Sequence, residues 1–140
     1  MNPRDKRILV DTSAWIVIFR SGGEPEAREF VKQKVAADQA ATSPLIILEL
    51  IQGCKTVKER DQLRLQLESL QIFDLENTTW ERAYSLGFHL RRKGLTVPTT
   101  DILIIALALE NDCLLLHFDR HFSLAAQHLK DLRIMAVGPL

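Results

Sequence analysis

The chain has 140 residues, 46% of them hydrophobic and 26% charged, with 18 Lys+Arg set against 18 Asp+Glu. That length suits a single domain, residues 1-140, able to bury about 68% of the surface its unfolded chain would expose. No low-complexity or Pro/Gly-rich segment marks a linker, and net charge alone announces no nucleic-acid binder.

The first strand is expected at Ile8 to Asp11, and "MNPRDKRILV" places charges ahead of too few apolar residues for a signal peptide. Elsewhere no run approaches the roughly 20 apolar residues that span a bilayer, so no membrane and a cytoplasmic address are expected. Ala14, Trp15, Ile18 and Phe19 recur at helical spacing until Ser21-Gly22-Gly23 ends the helix. Glu24 to about Asp38 reads as an amphipathic helix with Ala27, Phe30, Val31 and Val35 inward, followed by a short strand near Ala40 to Thr42. Ser43 is a favoured N-cap and Pro44 a favoured first residue, so "SPLIILELIQG" predicts a helix that stops at Gly53. The next helix begins near Val57 with Leu63, Leu67 and Leu70 inward, and "LQIFDL" is a third strand. Thr78-Thr79-Trp80-Glu81 has capping-box form and opens a helix to Lys93, which Gly94 ends. "TVPTTDILIIALALEND" is apolar almost all round and therefore a central helix. "CLLLHF" is a buried strand, Asp119 starts a short helix, and "RIMAV" is the last strand. Strands alternating with helices predict an α/β fold, a parallel sheet of four to five strands covered on both faces as a three-layer α/β/α sandwich. Cys54 and Cys113 lie far apart without a CxxC partner, which indicates neither a disulfide framework nor a thiolate zinc site.

Most acids sit among other charges on surface helices. Asp11 ends the first strand, Glu49 interrupts "LIILELI", Asp101 heads "DILIIALAL" and Asp119 follows "CLLLHF". A buried, unpaired carboxylate costs several kcal/mol, so each of these needs a partner, a proton or a cation. Singly, Asp11, Asp101 and Asp119 are well explained as helix caps or dipole partners, and Glu49 could face solvent. Together they carry more weight, because strand ends and following helix starts share one edge of a parallel sheet, where ligands bind. Asp74 also follows strand residues, but Leu75 continues that strand, so it is left out. Like charges about 4 Å apart repel by roughly 4 kcal/mol at an effective dielectric of 20, which calls for divalent cations or shared protons. Oxygen-only ligation selects Mg²⁺ or Mn²⁺ over zinc, and such a site suits phosphodiester hydrolysis.

At these residues the chain resembles the PIN-domain ribonucleases, specifically the VapC-like toxins of bacterial and archaeal toxin-antitoxin modules. The likeness covers nearly the whole chain: "VDTSAWI", "LELIQGCKTVKERDQL", "GLTVPTTDILIIALAL" and "LLLHFDRHF" resemble the family's motifs in order. The resemblance implies a metal-dependent endoribonuclease in which Asp11, Glu49 and Asp101 hold the metal. Asp119 is then the fourth acid, and Thr12 or Ser13 the hydroxyl supporting the first. It further implies cleavage of RNA to 5′-phosphate and 3′-hydroxyl ends, a homodimer, and a cognate antitoxin whose tail occupies the acidic pocket. Three positions depart from the pattern: His117 where a threonine is usual, His121 where an acid is frequent, and Thr99 where many relatives carry Asp.

His117, Asp119 and His121 lack an HExxH context and soft ligands, so they are not read as a metal triad, although His117 near the acids could serve as a proton donor. His89 and His128 read as surface or half-buried helix residues. Lys55, Lys58, Arg60 and Arg64, with Arg91, Arg92 and Lys93, read as solvated faces, or as a basic rim that grips RNA phosphates. Trp15, Trp80 and Phe30 are expected in the core. A phospho-acceptor domain would want paired acids after the first strand and a lysine after the last, and a haloacid-dehalogenase-like phosphatase a second Asp at Ser13. A catalytically silent RNA-binding relative remains open from sequence.

Overall fold

A computed structural model describes residues 6–20 and 22–140. Among them, β1 (Ile8–Val10), β2 (Ala40–Thr42), β3 (Gln71–Ile72), β4 (Leu114–His117) and β5 (Ile134–Ala136) form one sheet in the order β3-β2-β1-β4-β5, with every pairing parallel. The helices are α1 (Thr12–Phe19), α2 (Pro25–Ala36), α3 (Pro44–Gln52), α4 (Val57–Glu68), α5 (Asn77–Arg92), α6 (Thr99–Glu110) and α7 (Arg120–Ala126). They complete the three-layer α/β/α arrangement.

Parallel strands covered on both faces lose the polar alternation of exposed ones. Ile8, Leu9 and Val10 are fully buried, and they register against Ala40 and Ala41 on one side and Leu114, Leu115 and Leu116 on the other. The small Ala40 and Ala41 let α2 pack close beside β2. Beside β4, α6 is buried from Ile102 to Ala108 without a break, enclosed by α5 and α7.

The strand order creates a reversal. From β1 the chain moves outward through β2 to β3, then returns across the sheet to place β4 and β5 on the opposite side of β1. Connections leaving β1 and β4 therefore diverge, and a crevice opens outside their carboxyl ends. α5 runs antiparallel to α6, since Thr78 Oγ1 at its start donates to Glu110 Oε2 at the end of α6 (3.1 Å). Its basic C-terminus consequently lies at the same end as Asp101.

Several local expectations shift. α1 ends at Phe19 with Arg20 as its C-cap, and Ser21 lies outside the described residues. Val35 is exposed and Lys34 buried in its place, because the Lys34 ammonium reaches the Lys6 carbonyl (2.7 Å) and lies over the Phe30 ring. β3 is only two residues long, well short of "LQIFDL". α5 begins one turn-position earlier than Thr78: the Glu76 N–H donates to Thr79 Oγ1 (3.1 Å), and Thr79 is buried. That registers the inward stripe on Thr79, Ala83, Leu86 and Leu90, leaving Trp80 about 100° off it and 38% exposed. Trp15 is buried, and Phe30 is half-buried against the core.

Leu115 is fully buried and registers with both Leu9 and Ile134. Leu115→Ala is expected to lower the unfolding free energy by about 2–5 kcal/mol. The matched Leu65→Ala on the exposed face of α4 should stay within about 0.5 kcal/mol in the same urea titration.

Candidate active site

Asp11 is the first residue beyond β1, and its N–H donates to the Leu116 carbonyl of β4 (2.9 Å), which fixes it at the reversal point. It is also the N-cap of α1. Its Oδ2 accepts from the Ser13 N–H (2.9 Å) and from Ser13 Oγ (2.6 Å). Ser13 Oγ in turn accepts from the Phe118 N–H (2.9 Å), so one hydroxyl ties the acid after β1 to the segment after β4. Thr12 Oγ1 donates to Glu49 Oε1 (2.8 Å). Glu49 arrives because α3 starts directly after β2, capped by Ser43 Oγ on the Ile46 N–H (3.3 Å), and its second turn faces α1. It is half-buried, not a solvent-facing residue.

Asp101 lies in the first turn of α6, its side chain 15% exposed. Asp119 caps α7 through Oδ1, which accepts from the His121 N–H (2.8 Å). His121 Nδ1 stands 2.9 Å from Asp119 Oδ1 and 3.7 Å from Asp101 Oδ2. Asp101, Asp119 and His121 present ligand atoms that all lie within 4.8 Å of one another. For Asp11 and Asp119 the capping and clustering explanations are thus both true: the caps hold these two carboxylates where the acids gather.

Burial pushes the Asp101 carboxyl up to about 7; the charges of Asp11, Asp119 and Glu49 push the same way, and His121 opposes them. Burial also raises the Asp11 carboxyl, with the Ser13 hydrogen bonds pulling it back and Glu49 adding to the rise. Asp11 and Glu49 on one flank and Asp101, Asp119 and His121 on the other are therefore close enough to feel each other's charge.

His117 is fully buried, its ring 5.3 Å from that of Phe122, and its Nδ1 accepts from the Asp119 N–H (3.1 Å). Burial lowers its pKa and keeps the ring neutral. It supports the Asp119 backbone and has no exposed edge from which to exchange a proton. His121, given no part from sequence, is the residue that reaches the acids. Its only local signal is its place two residues after a helix-capping Asp, since its second partner lies 20 positions upstream. Asp74 is exposed beyond β3, outside this group.

The bases divide. Arg91, Arg92 and Lys93 close α5 and lead through residues 94–98 into α6, with Arg91 donating to Thr96 Oγ1 and Arg92 lying over the Phe88 ring (5.6 Å). Lys55 and Lys58 stand at the distal end of α3 and the start of α4. On α4, Arg60 pairs with Asp61 (3.0 Å) and Arg64 with Glu68 (2.7 Å). The groove along α4 is shared with Ile16, Phe19 and Arg20, roughly 8–13 Å along α1 from Asp11.

Carboxylates and an imidazole from separated segments, converging outside the carboxyl ends of β1 and β4, are a donor set that fits a divalent cation. They define a class: α/β proteins with an acidic metal-type pocket at the topological reversal of a parallel sheet. Comparison with known proteins refines this. The PIN domain family profile matches residues 8–127, and the chain belongs to that family. Ribonuclease VapC11 of Mycobacterium tuberculosis and VapC ribonuclease Mb1587 of Mycobacterium bovis are each 29% identical over 126 residues, covering 86% of this chain and 92% of theirs. Among solved structures, the fold is shared with FitAcB from Neisseria gonorrhoeae (TM-score 0.75, 17% identity, 95% of this chain and 99% of that one). It is shared too with DNA-bound VapBC from Salmonella typhimurium (TM-score 0.73, 16% identity, 94% and 98%). No described helix is long and apolar enough to cross a membrane.

Asp101 keeps its proton to about pH 7 when folded but releases it near its ordinary value of 3.8 when unfolded. Between those values the folded chain binds more protons, so the Asp101 contribution to stability declines as pH rises. Melting in EDTA should show wild type losing ground to Asp101→Asn from pH 4 to 7; a constant difference would contradict the assignment. Ser13→Ala removes the donor to Asp11 and leaves the Phe118 N–H without its acceptor, at an expected cost of about 1–3 kcal/mol in chemical denaturation.

Proposed function

We propose that this chain is a metal-dependent endoribonuclease of the VapC kind, the toxin of a toxin-antitoxin pair. The observation that carries this reading is the convergence of Asp11, Glu49, Asp101 and Asp119 at one edge of the sheet, where burial first, and then the charges of the other three acids, push the Asp101 carboxyl up to about 7. Asp11, Glu49, Asp101 and Asp119 would hold Mg²⁺ or Mn²⁺. A divalent cation there supplies a Lewis acid for the phosphoryl oxygens and makes water a competent nucleophile near neutral pH.

The residues of the chain do the rest. Thr12 fixes the Glu49 carboxylate and Ser13 fixes that of Asp11, so two of the charges are set in place before RNA arrives. Preorganisation of this kind spares the reorganisation that water would undergo at the moment of reaction. Hydrolysis adds a water oxygen to phosphorus and breaks the P–O3′ bond; the leaving O3′ takes a proton, giving 5′-phosphate and 3′-hydroxyl ends. Arg91, Arg92 and Lys93, at the acidic end of α6, are assigned to the RNA phosphates that flank the cleaved bond. Lys55, Lys58, Arg60 and Arg64 are assigned to more distant phosphates. The toxin-antitoxin complex from Klebsiella pneumoniae and VapBC-5 from Mycobacterium tuberculosis, which share the fold, support a cognate antitoxin partner, while a homodimer follows from the family resemblance alone.

Asp11→Asn preserves a capping side chain while removing the charge. It should reduce cleavage of a fluorescent RNA by at least about 10²-fold in Mn²⁺, with wild type equally silent in EDTA. Cleavage that tolerates both the substitution and the chelator would sink the proposal.

A further inference from the structure

A pocket of carboxylates alone would offer only oxygen. This chain adds a ring nitrogen. His121 Nδ1 is buried as an atom and makes no hydrogen bond of acceptable geometry, although it stands 2.9 Å from Asp119 Oδ1 and 3.7 Å from Asp101 Oδ2. Asp119 Oδ1 is already engaged by the His121 N–H (2.8 Å), so the helix start itself pins ring and carboxylate side by side. Ligands at about 2.1 Å from one octahedral ion lie roughly 3.0 Å apart when adjacent and about 4.2 Å when opposite. The spacings among Asp101, Asp119 and His121, all within 4.8 Å, fall close to that frame before any adjustment.

We propose that His121 Nδ1 is a direct nitrogen ligand of the cation held by Asp101 and Asp119, which makes the site prefer Mn²⁺ to Mg²⁺. The inference rests on the metal-dependent reading above and deepens it. Mg²⁺ favours hard oxygen donors in near-ideal octahedral geometry, whereas imidazole favours the transition metals. Nδ1 must carry its lone pair to bind a metal, so the ring proton belongs on Nε2. The side chain is 38% exposed, leaving that proton room to meet solvent. The competing occupant of the same space is a proton on Nδ1, which would make His121 a cation paired with the two acids.

Electron spin echo envelope modulation of the full chain loaded with Mn²⁺ separates the two. Wild type should show ¹⁴N coupling from a bound imidazole, and His121→Gln should lose it while Mn²⁺ affinity falls about 10–100-fold. Affinity for Mg²⁺, measured by displacement of Mn²⁺, should fall less. His121→Asp, compatible with a helix N-terminus, should bind Mn²⁺ without nitrogen coupling and narrow the preference over Mg²⁺, and it serves if the Gln variant folds poorly. Bound Mn²⁺ without ¹⁴N coupling in wild type, or coupling that survives in either variant, overturns the ligand assignment and leaves the metal-dependent reading intact. Failure of wild type to bind Mn²⁺ at all overturns both.

Discussion

Repulsion among carboxylates held in one crevice is the constraint around which the rest of the molecule is arranged. A fold ordinarily lets like charges drift apart into water, and here it does the reverse. Asp11 is held by the backbone of β4 as well as by Ser13, Glu49 by Thr12, and Asp119 by the amide of His121 and the Nδ1 of His117 beneath its own amide. Each restraint is a single hydrogen bond worth about 1–3 kcal/mol net, the upper part of that range belonging to those accepted by a charged carboxylate. What makes them sufficient is their anchorage in rigid elements: a central strand, two helix starts, and an α6 that is buried along nearly its whole length.

Helix capping and metal chemistry are usually treated as rival explanations of an acidic residue at a strand end. In this chain they are the same device. A capping carboxylate takes hydrogen bonds from the amides of its own helix, which fixes its rotamer and places it at the positive end of that helix. The charge is thereby partly compensated in the absence of any ion, and its oxygens are aligned for one. Asp11 and Asp119 both follow this plan, whereas Asp101 lies inside the first turn of α6, where burial, with the charges of Asp11 and Asp119 adding to it, pushes its carboxyl up to about 7.

The elements that were legible in the sequence are those whose cause is local. Ser43-Pro44 marked α3, an uninterrupted apolar run marked α6, and Asp11 and Asp119 were visible because each directly follows a strand. Strand order was not legible, since nothing in the run Leu114 to His117 says that it pairs with β1 and not with β3; that choice is made by burial across a hundred residues of chain. Nor was the link between His121 and Asp101, which depends on where α6 and α7 meet. Lys34 shows the complementary failure: hydropathy prefers Val35 inward, but the stem of a lysine packs well when its ammonium can reach the Lys6 carbonyl. At Glu76 the cap came from a residue type seldom used there, rescued by a threonine three positions later.

The sheet ends in strands of two residues at β3 and three at β5. A border that brief offers a foreign strand only a few free peptide groups to zip onto, a recognised defence against runaway polymerisation of β-rich chains. A second copy of the chain would find more to grip on the helix faces and their side chains, which can be selective about a partner in a way that bare backbone cannot.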